Sequence, residues 1–453
     1  MSLRGKTQSW IKSNPYETLI VAVAAFYYVT TPTLFNYIDG IIVGTISLKG
    51  LYPHYPFLYP TIGQGAVFIL QNFCTAFKWM QISQLMVCIL ILIHAIRSVP
   101  PNKKKFTTFL LLAYSPILIF QFNIISESVF FSAQILFTST IIRYLFKNDR
   151  SLFNLGLHAL SAAVLLYTKH VGILFGGILP LVFLIRWMKS RESIWFKRTV
   201  YISLAYGILF LFSVLINFFY VKILRSTEVP LYGRPAMHII DEAYKKIDQQ
   251  EDKDTFVADW AAKSSHEDEL ILQQFILESD DIWPEPHAKF TDYIKNRYPH
   301  WSASTQRDYV ERNLNQTYWH YLFSGNPHVL KNFLYNFWKL SPLSKNNSIE
   351  KLINSHESFF DHGLHQGDFY GCDFNSSFQR GNLFFVKAIY SNLESLTQFF
   401  LWYFLFSYFF IRKTRRVDEL SISLLVFIFV YTFINTIFTY PLDRYSISNL
   451  IAL

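Results

Sequence analysis

Nine apolar stretches recur along this chain, near residues 17–36, 79–97, 106–122, 129–146, 153–168, 171–187, 199–222, 396–412 and 419–437. A helix needs about 20 mainly apolar residues to cross a bilayer. A chain built this way can fold as a bundle of membrane-spanning helices and as little else, because in lipid every backbone polar group must be satisfied internally. A tenth apolar stretch, IGQGAVFILQNFCTAF at 62–77, is interrupted by Gln64, Gln71 and Asn72. It is expected to lie along the membrane interface without crossing.

The cationic residues assign sides. Arg4, Lys6 and Lys12 open the chain, and the later basic bursts are RSVPPNKKK (97–105), RYLFKNDR (143–150), RWMKSRESIWFKR (186–198) and IRKTRR (411–416). If 62–77 does not cross, all five segments fall on one side. Positive-inside bias makes that side cytoplasmic. The net charge of +9 is thereby spent in short loops, which removes the case for a nucleic-acid-binding surface. Charged residues make up only 16% of the chain, against about 25% in an average soluble domain. The basic, polar start lacks a cleavable signal pattern, so the first span is expected to target the chain itself.

The expected fold class is an all-α polytopic membrane protein of nine or ten spans. Its parts are an N-terminal transmembrane module (1–222) with a first outer loop (37–78), a mainly helical outer-face domain (223–395) between the seventh and eighth spans, and a C-terminal transmembrane module (396–453). The N-terminus is expected in the cytoplasm and the large loop outside. Richness in Lys, Asn, Ile and Phe fits a low-GC bacterial genome, hence an inner membrane with the active face toward the periplasm. Cys74, Cys88 and Cys372 have no metal or framework spacing. Cys74 and Cys372 both fall outside, where a bridge between them is open. Sequons at Asn315, Asn346 and Asn375 also lie in the outer loop and matter only in a eukaryote.

Ionisable groups at the outer ends of spans are the candidate chemistry, because charge at membrane depth is costly. Asp39, just past the first span, is either a general base with a raised pKa or a water-exposed Asp-Gly turn. His54 and Tyr55 lie in the proline-stiffened segment LYPHYPFLYP, suited to stacking on a sugar ring or to an interfacial aromatic belt. Glu127 opens the fourth span, where a carboxylate also suits the helix dipole. Lys169 and His170, and Arg444 with Asp443 and Tyr445, place cations on the side that positive-inside bias leaves poor in them. A phosphate would use such cations, although Lys169 could also simply snorkel. His356, Asp361, His362, His365 and Asp368 cluster at 355–373. They could hold a divalent metal, but the spacing matches no tight pattern and reads better as a solvated loop. No cofactor is expected.

In this order and on this side, the features resemble the GT-C superfamily of membrane glycosyltransferases. The likeness is to the branch of protein O-mannosyltransferases and the lipid A aminoarabinose transferase. PHYPFLYP is similar to that branch's His-Pro-Pro-Leu segment, SESVFF to its Ser-Glu-Pro-Leu-Phe motif, YTKHVGILFGGILPLVFLI to its Lys-x-x-Gly run, and DRYSI to a late Arg-Tyr. The Pro after the fourth-span Glu is absent. The chain also stops soon after Asp443, where members continue with further spans, so a reduced C-terminal part is expected.

The resemblance implies transfer of a sugar from a polyprenyl-phosphate donor to a hydroxyl of a lipid, glycan or protein on the outer face. It gives Asp39 and Glu127 the catalytic roles, and His54, Tyr55, Lys169, His170, Arg444 and Tyr445 the substrate contacts. Two other classes stay open. A polymerase or ligase of lipid-linked polysaccharide would rely on outer-loop arginines. A transporter or flippase would place ionisable groups and broken helices at the midplane.

Overall fold

The computed structural model describes residues 9, 11–31, 58–114, 116–122, 126–224, 250–263, 267–278, 286–325, 327–340, 377–390, 392–399 and 419–438. Among them the chain is helical with no strand. Four helices among the described residues are long and apolar enough to cross a membrane: Cys74–Ser98, Ser126–Phe146, Val171–Ser190 and Ser193–Ile216. A bent pair, Pro101–Ala113 with Pro116–Phe122, is as apolar as these and turns by 58° at its break, the form of a broken span or a re-entrant loop.

In chain order the helices used below are α1 (Pro15–Thr30), α2 (Leu58–Leu70), α3 (Phe73–Ser98), α4 (Lys104–Ala113), α5 (Pro116–Ile119), α6 (Ser126–Phe146), α7 (Leu152–Thr168), α8 (Ile178–Ser190) and α9 (Ser193–Leu224). They continue with α10 (Gln250–Lys263), α11 (Glu267–Glu278), α12 (Pro286–Arg297), α13 (Ala303–Phe323), α14 (Pro327–Leu340) and α15 (Glu419–Phe438).

Local chemistry sets the ends of these helices. Asn72 and Ser151 accept from the Thr75 and Asn154 amides as N-caps, satisfying donors that a helix start leaves free. Gln71 adopts φ 53° and separates α2 from α3. The expected single helix over 62–77 is therefore two helices, with residues from Phe73 onward belonging to the long α3. Gln84 Nε2 donates to Tyr59 Oη at 2.9 Å, so α2 runs antiparallel beside the first half of α3. At 13 residues it is about 20 Å long, too short to cross about 30 Å of hydrocarbon.

The basic segments meet at one end of the bundle. Arg97 Nε bonds Glu17 at 3.1 Å, Lys147 Nζ donates to the Arg97 carbonyl, and Glu419 pairs with Lys189 at 3.2 Å and Arg186 at 3.6 Å. The start of α1, the ends of α3, α6 and α8, and the start of α15 thus share this basic end. The segment 411–416 lies outside the described residues. At the far end Tyr27 of α1 stacks on Tyr390 with centroids 4.5 Å apart, and Gln81 Nε2 donates to the Phe122 carbonyl at 3.0 Å. One apolar core runs between the two ends, from Ile20 and Leu92 through Phe130, Phe137, Phe175 and Phe183 to Phe427 and Tyr431. Only 6% of the α9 span is buried, so it turns an apolar surface outward on nearly every side, which bilayer but not water tolerates.

A second core, centred on Trp260, Phe275, Phe290, Val310, Leu314 and Tyr321, belongs to α10–α13. It lies within 223–395, the stretch in which the sequence predicts an outer-face domain. Its helices bury aromatic and aliphatic faces and turn Asp254, Asp292 and Asp308 outward or half outward, the pattern of a domain in water.

Candidate functional site

Glu127 and Lys169, 42 residues apart, meet in a direct ion pair at the far end of the bundle. Lys169 Nζ lies 2.6 Å from Glu127 Oε1, with the two side chains 14% and 2% exposed. Two charges this far from water are costly unless paired closely. Here Ser126 Oγ adds a hydrogen bond to the other carboxylate oxygen at 3.3 Å. Lys169 Nζ also sits 5.9 Å from the centroid of Phe130, within cation–π range.

Each partner has a local reason for its position. Glu127 is in the first turn of α6, where the positive end of the helix dipole favours a carboxylate. Lys169 is the extended residue that closes α7, and its own amide bonds the Leu165 carbonyl at 3.1 Å. The chain then turns tightly through His170–Gly177 into α8. Gly172 makes that turn fit, because a Cβ there would stand 2.2 Å from the Leu165 carbonyl oxygen. Within the turn, Phe175 packs against Phe130 (6.0 Å), Phe137 (6.1 Å), Phe427 (4.5 Å) and Tyr431 (6.2 Å). The ion pair is thus held by α6, α7, the turn and, through Phe175, α15.

Of the site residues named from the sequence, the structure joins Glu127 to Lys169 and places His170 next in the turn. Asp39, His54, Tyr55, Asp443, Arg444 and Tyr445 lie outside the described residues. So do Cys372 and the 355–373 cluster with His356, Asp361, His362, His365 and Asp368. Among the described residues no group of three His, Cys, Asp or Glu could hold a metal ion.

Sequence reasoning missed two polar features of the bundle. His158 in α7 is buried against Phe137 at 4.5 Å; its Nδ1 bonds Thr140 Oγ1 at 2.8 Å and its Nε2 bonds Tyr206 Oη. With both nitrogens engaged, it fastens three helices together. Glu394 is fully buried and lies close enough to Tyr114 to interact electrostatically. Tyr114 follows the break after α4, where Thr397 Oγ1 donates to the Ala113 carbonyl at 2.9 Å. The signal for Glu394 was an acid immediately before an apolar run, which counting spans from 396 sets aside. Cys74, for which the sequence left a bridge open, is disulfide-bonded at the start of α3, whereas Cys88 is a free, buried thiol.

Comparison with known protein families, with curated proteins and with solved structures gives no match to this chain.

Proposed function

We propose that this chain is a membrane glycosyltransferase. In this reading it moves a sugar from a polyprenyl-phosphate donor to an acceptor hydroxyl on the extracytoplasmic face, in the manner of the GT-C branch its motifs resemble. The observation that carries the reading is the Lys169–Glu127 pair: a cation held in low dielectric at the end away from the basic loops. A cation fixed there stabilises the negative charge that develops on a departing phosphate. The disulfide at Cys74 supports assigning that end to an oxidising compartment. With the basic end in the cytoplasm, the protein is an integral inner-membrane protein, bacterial by composition, with its N-terminus inside.

The reaction follows from these roles. Asp39 takes the proton of the acceptor hydroxyl. The oxygen attacks the anomeric carbon in line, the carbon–oxygen bond to phosphate breaks with inversion, and its electron pair leaves on the polyprenyl phosphate. Lys169, His170 and Arg444 bind that phosphate, Glu127 orients Lys169 and the sugar, and His54, Tyr55 and Tyr445 contact the rings. No cofactor takes part, and the outer domain excludes water.

A second reading, a transporter or flippase of lipid-linked sugars, draws support from the break between Pro101–Ala113 and Pro116–Phe122 with buried Glu394 beside it. One experiment separates the two. Purified protein in vesicles is given radiolabelled polyprenyl-phosphate sugars and a panel of hydroxyl acceptors. Transfer to an acceptor, lost in Lys169→Met, supports the transferase. Movement of intact donor between leaflets without transfer replaces it with the flippase. Near-normal transfer by Asp39→Asn removes Asp39 as the base.

A further inference from the structure

Helix α14 is built inside out for water. Its buried residues are Val329, Asn332, Asn336 and Leu340, whereas Leu330, Leu334, Tyr335 and Trp338 are 51–58% exposed. These exposed residues form one face at helical spacing, with Lys331 among them. The preceding α13 follows the opposite rule, burying Tyr309, Val310, Leu314 and Tyr321 and exposing Asp308. The sign of the pattern changes between Phe323 and Pro327. Near that point Trp319 and Phe323 stack on each other, 41% and 77% exposed.

The partner of α14 fixes its depth. Phe333 packs on Phe433 at 5.8 Å and Phe337 on Phe429 at 5.6 Å, so α14 runs antiparallel to α15. The foot of α15 is Glu419, held at the basic end by Arg186 and Lys189. Phe429 is ten residues beyond it (419 to 429), about 15 Å along the helix. That is half of a hydrocarbon core about 30 Å thick. Pro327 precedes Phe337 by ten residues, a further 15 Å or so toward the far surface.

We infer that α14 is a membrane-inserted helix. It enters the bilayer from the far end with its Leu330–Leu334–Tyr335–Trp338 face against lipid acyl chains and reaches the midplane beside α15. Lys331, one turn in, snorkels to the headgroups. Val329 belongs to the core of α10–α13, so the inserted helix also anchors that domain to the bilayer surface.

The test is spin labelling of the full chain in phosphatidylcholine–phosphatidylglycerol vesicles. Single cysteines are introduced as Leu330→Cys, Leu334→Cys and Trp338→Cys, none of which removes a buried side chain. Ile208→Cys on bare α9 serves as the lipid reference and Asp308→Cys as the water reference. Collisions with oxygen and with a water-soluble nickel chelate are compared by electron paramagnetic resonance. The expected result is oxygen preference at 334 and 338 matching Ile208, rising from 330 to 338. Nickel access matching Asp308 would overturn the inference, and so would protection from both reagents, which would mean that a protein surface or a second copy covers the face.

Discussion

Replacing Lys169 with Met leaves the Glu127 carboxylate buried at 2% exposure without the cation that lies 2.6 Å from its Oε1. Breaking a buried ion pair by removing one partner costs about 3–5 kcal/mol, whereas replacing both charges with neutral groups of similar volume is often close to neutral. Lys169→Met alone is therefore expected to lower the thermal midpoint of the detergent-solubilised protein by roughly 6 °C or more, taking about 2 °C per kcal/mol for a large chain. Glu127→Gln with Lys169→Met should recover most of that loss. The assay is a double-mutant cycle on unfolding, run beside transfer of labelled sugar. The double variant separates stability from chemistry, because it should be folded yet inactive. If Lys169→Met costs under about 1 kcal/mol, or the double variant costs the sum of the singles, the pair is not a desolvated unit. If the stable double variant transfers sugar normally, the pair is a fastening between α6 and α7.

Three further outcomes follow from the geometry. Gly172→Ala forces a Cβ to within 2.2 Å of the Leu165 carbonyl oxygen; it should cost about 1–3 kcal/mol, as overpacking does, and a midpoint within error of wild type would deny the close approach. Before reduction, the unfolded chain should accept a thiol label at Cys88 and not at Cys74, and afterwards at both, since Cys74 is already oxidised; labelling of Cys74 without reductant would contradict the bond. Hydrogen bonds from Ser151 and the Arg143 guanidinium hold the Asp149 carboxyl down at about 2. Its contribution is thus present above the ordinary value near 3.8 and fades as pH falls toward 2, so Asp149→Asn should abolish that part of the acid-induced loss measured by unfolding.

The periodicity of apolar runs made the bundle legible, and the placement of lysine and arginine made its two ends legible. The structure gathers Arg97, Lys147, Arg186 and Lys189 at one of them. Glu127 and Lys169 were legible as charges out of place, and their union was not, since nothing in a sequence measures a distance across two helices. Helix α14 escaped the count of spans for a physical reason. At 14 residues it has the length of an ordinary soluble or interfacial helix. Asn332 and Asn336 also make α14 look like a water-facing segment until the side that is buried is known. His158 was hidden by an apolar run able to absorb one satisfied polar group.

Where a span breaks inside a membrane, freed backbone groups need partners, since no water supplies them. Several buried polar side chains are used in this way. Thr397 serves the Ala113 carbonyl, Gln81 serves Phe122, and Gln121 serves the Ile117 and Ser128 carbonyls around the α5–α6 junction. Their polarity is accounted for by the breaks they repair, so it carries no separate implication of a ligand. The Glu127 carboxylate and the Lys169 ammonium, in contrast, are matched to each other. Repairing a broken helix needs only an amide or hydroxyl, at a far smaller desolvation cost than two full charges. A fastening between α6 and α7 could likewise have been made with neutral groups, as Thr140 and His158 do lower in the same helices. Charge retained where neutral groups would hold the fold is the reason for proposing that the Glu127–Lys169 pair acts on a charged substrate.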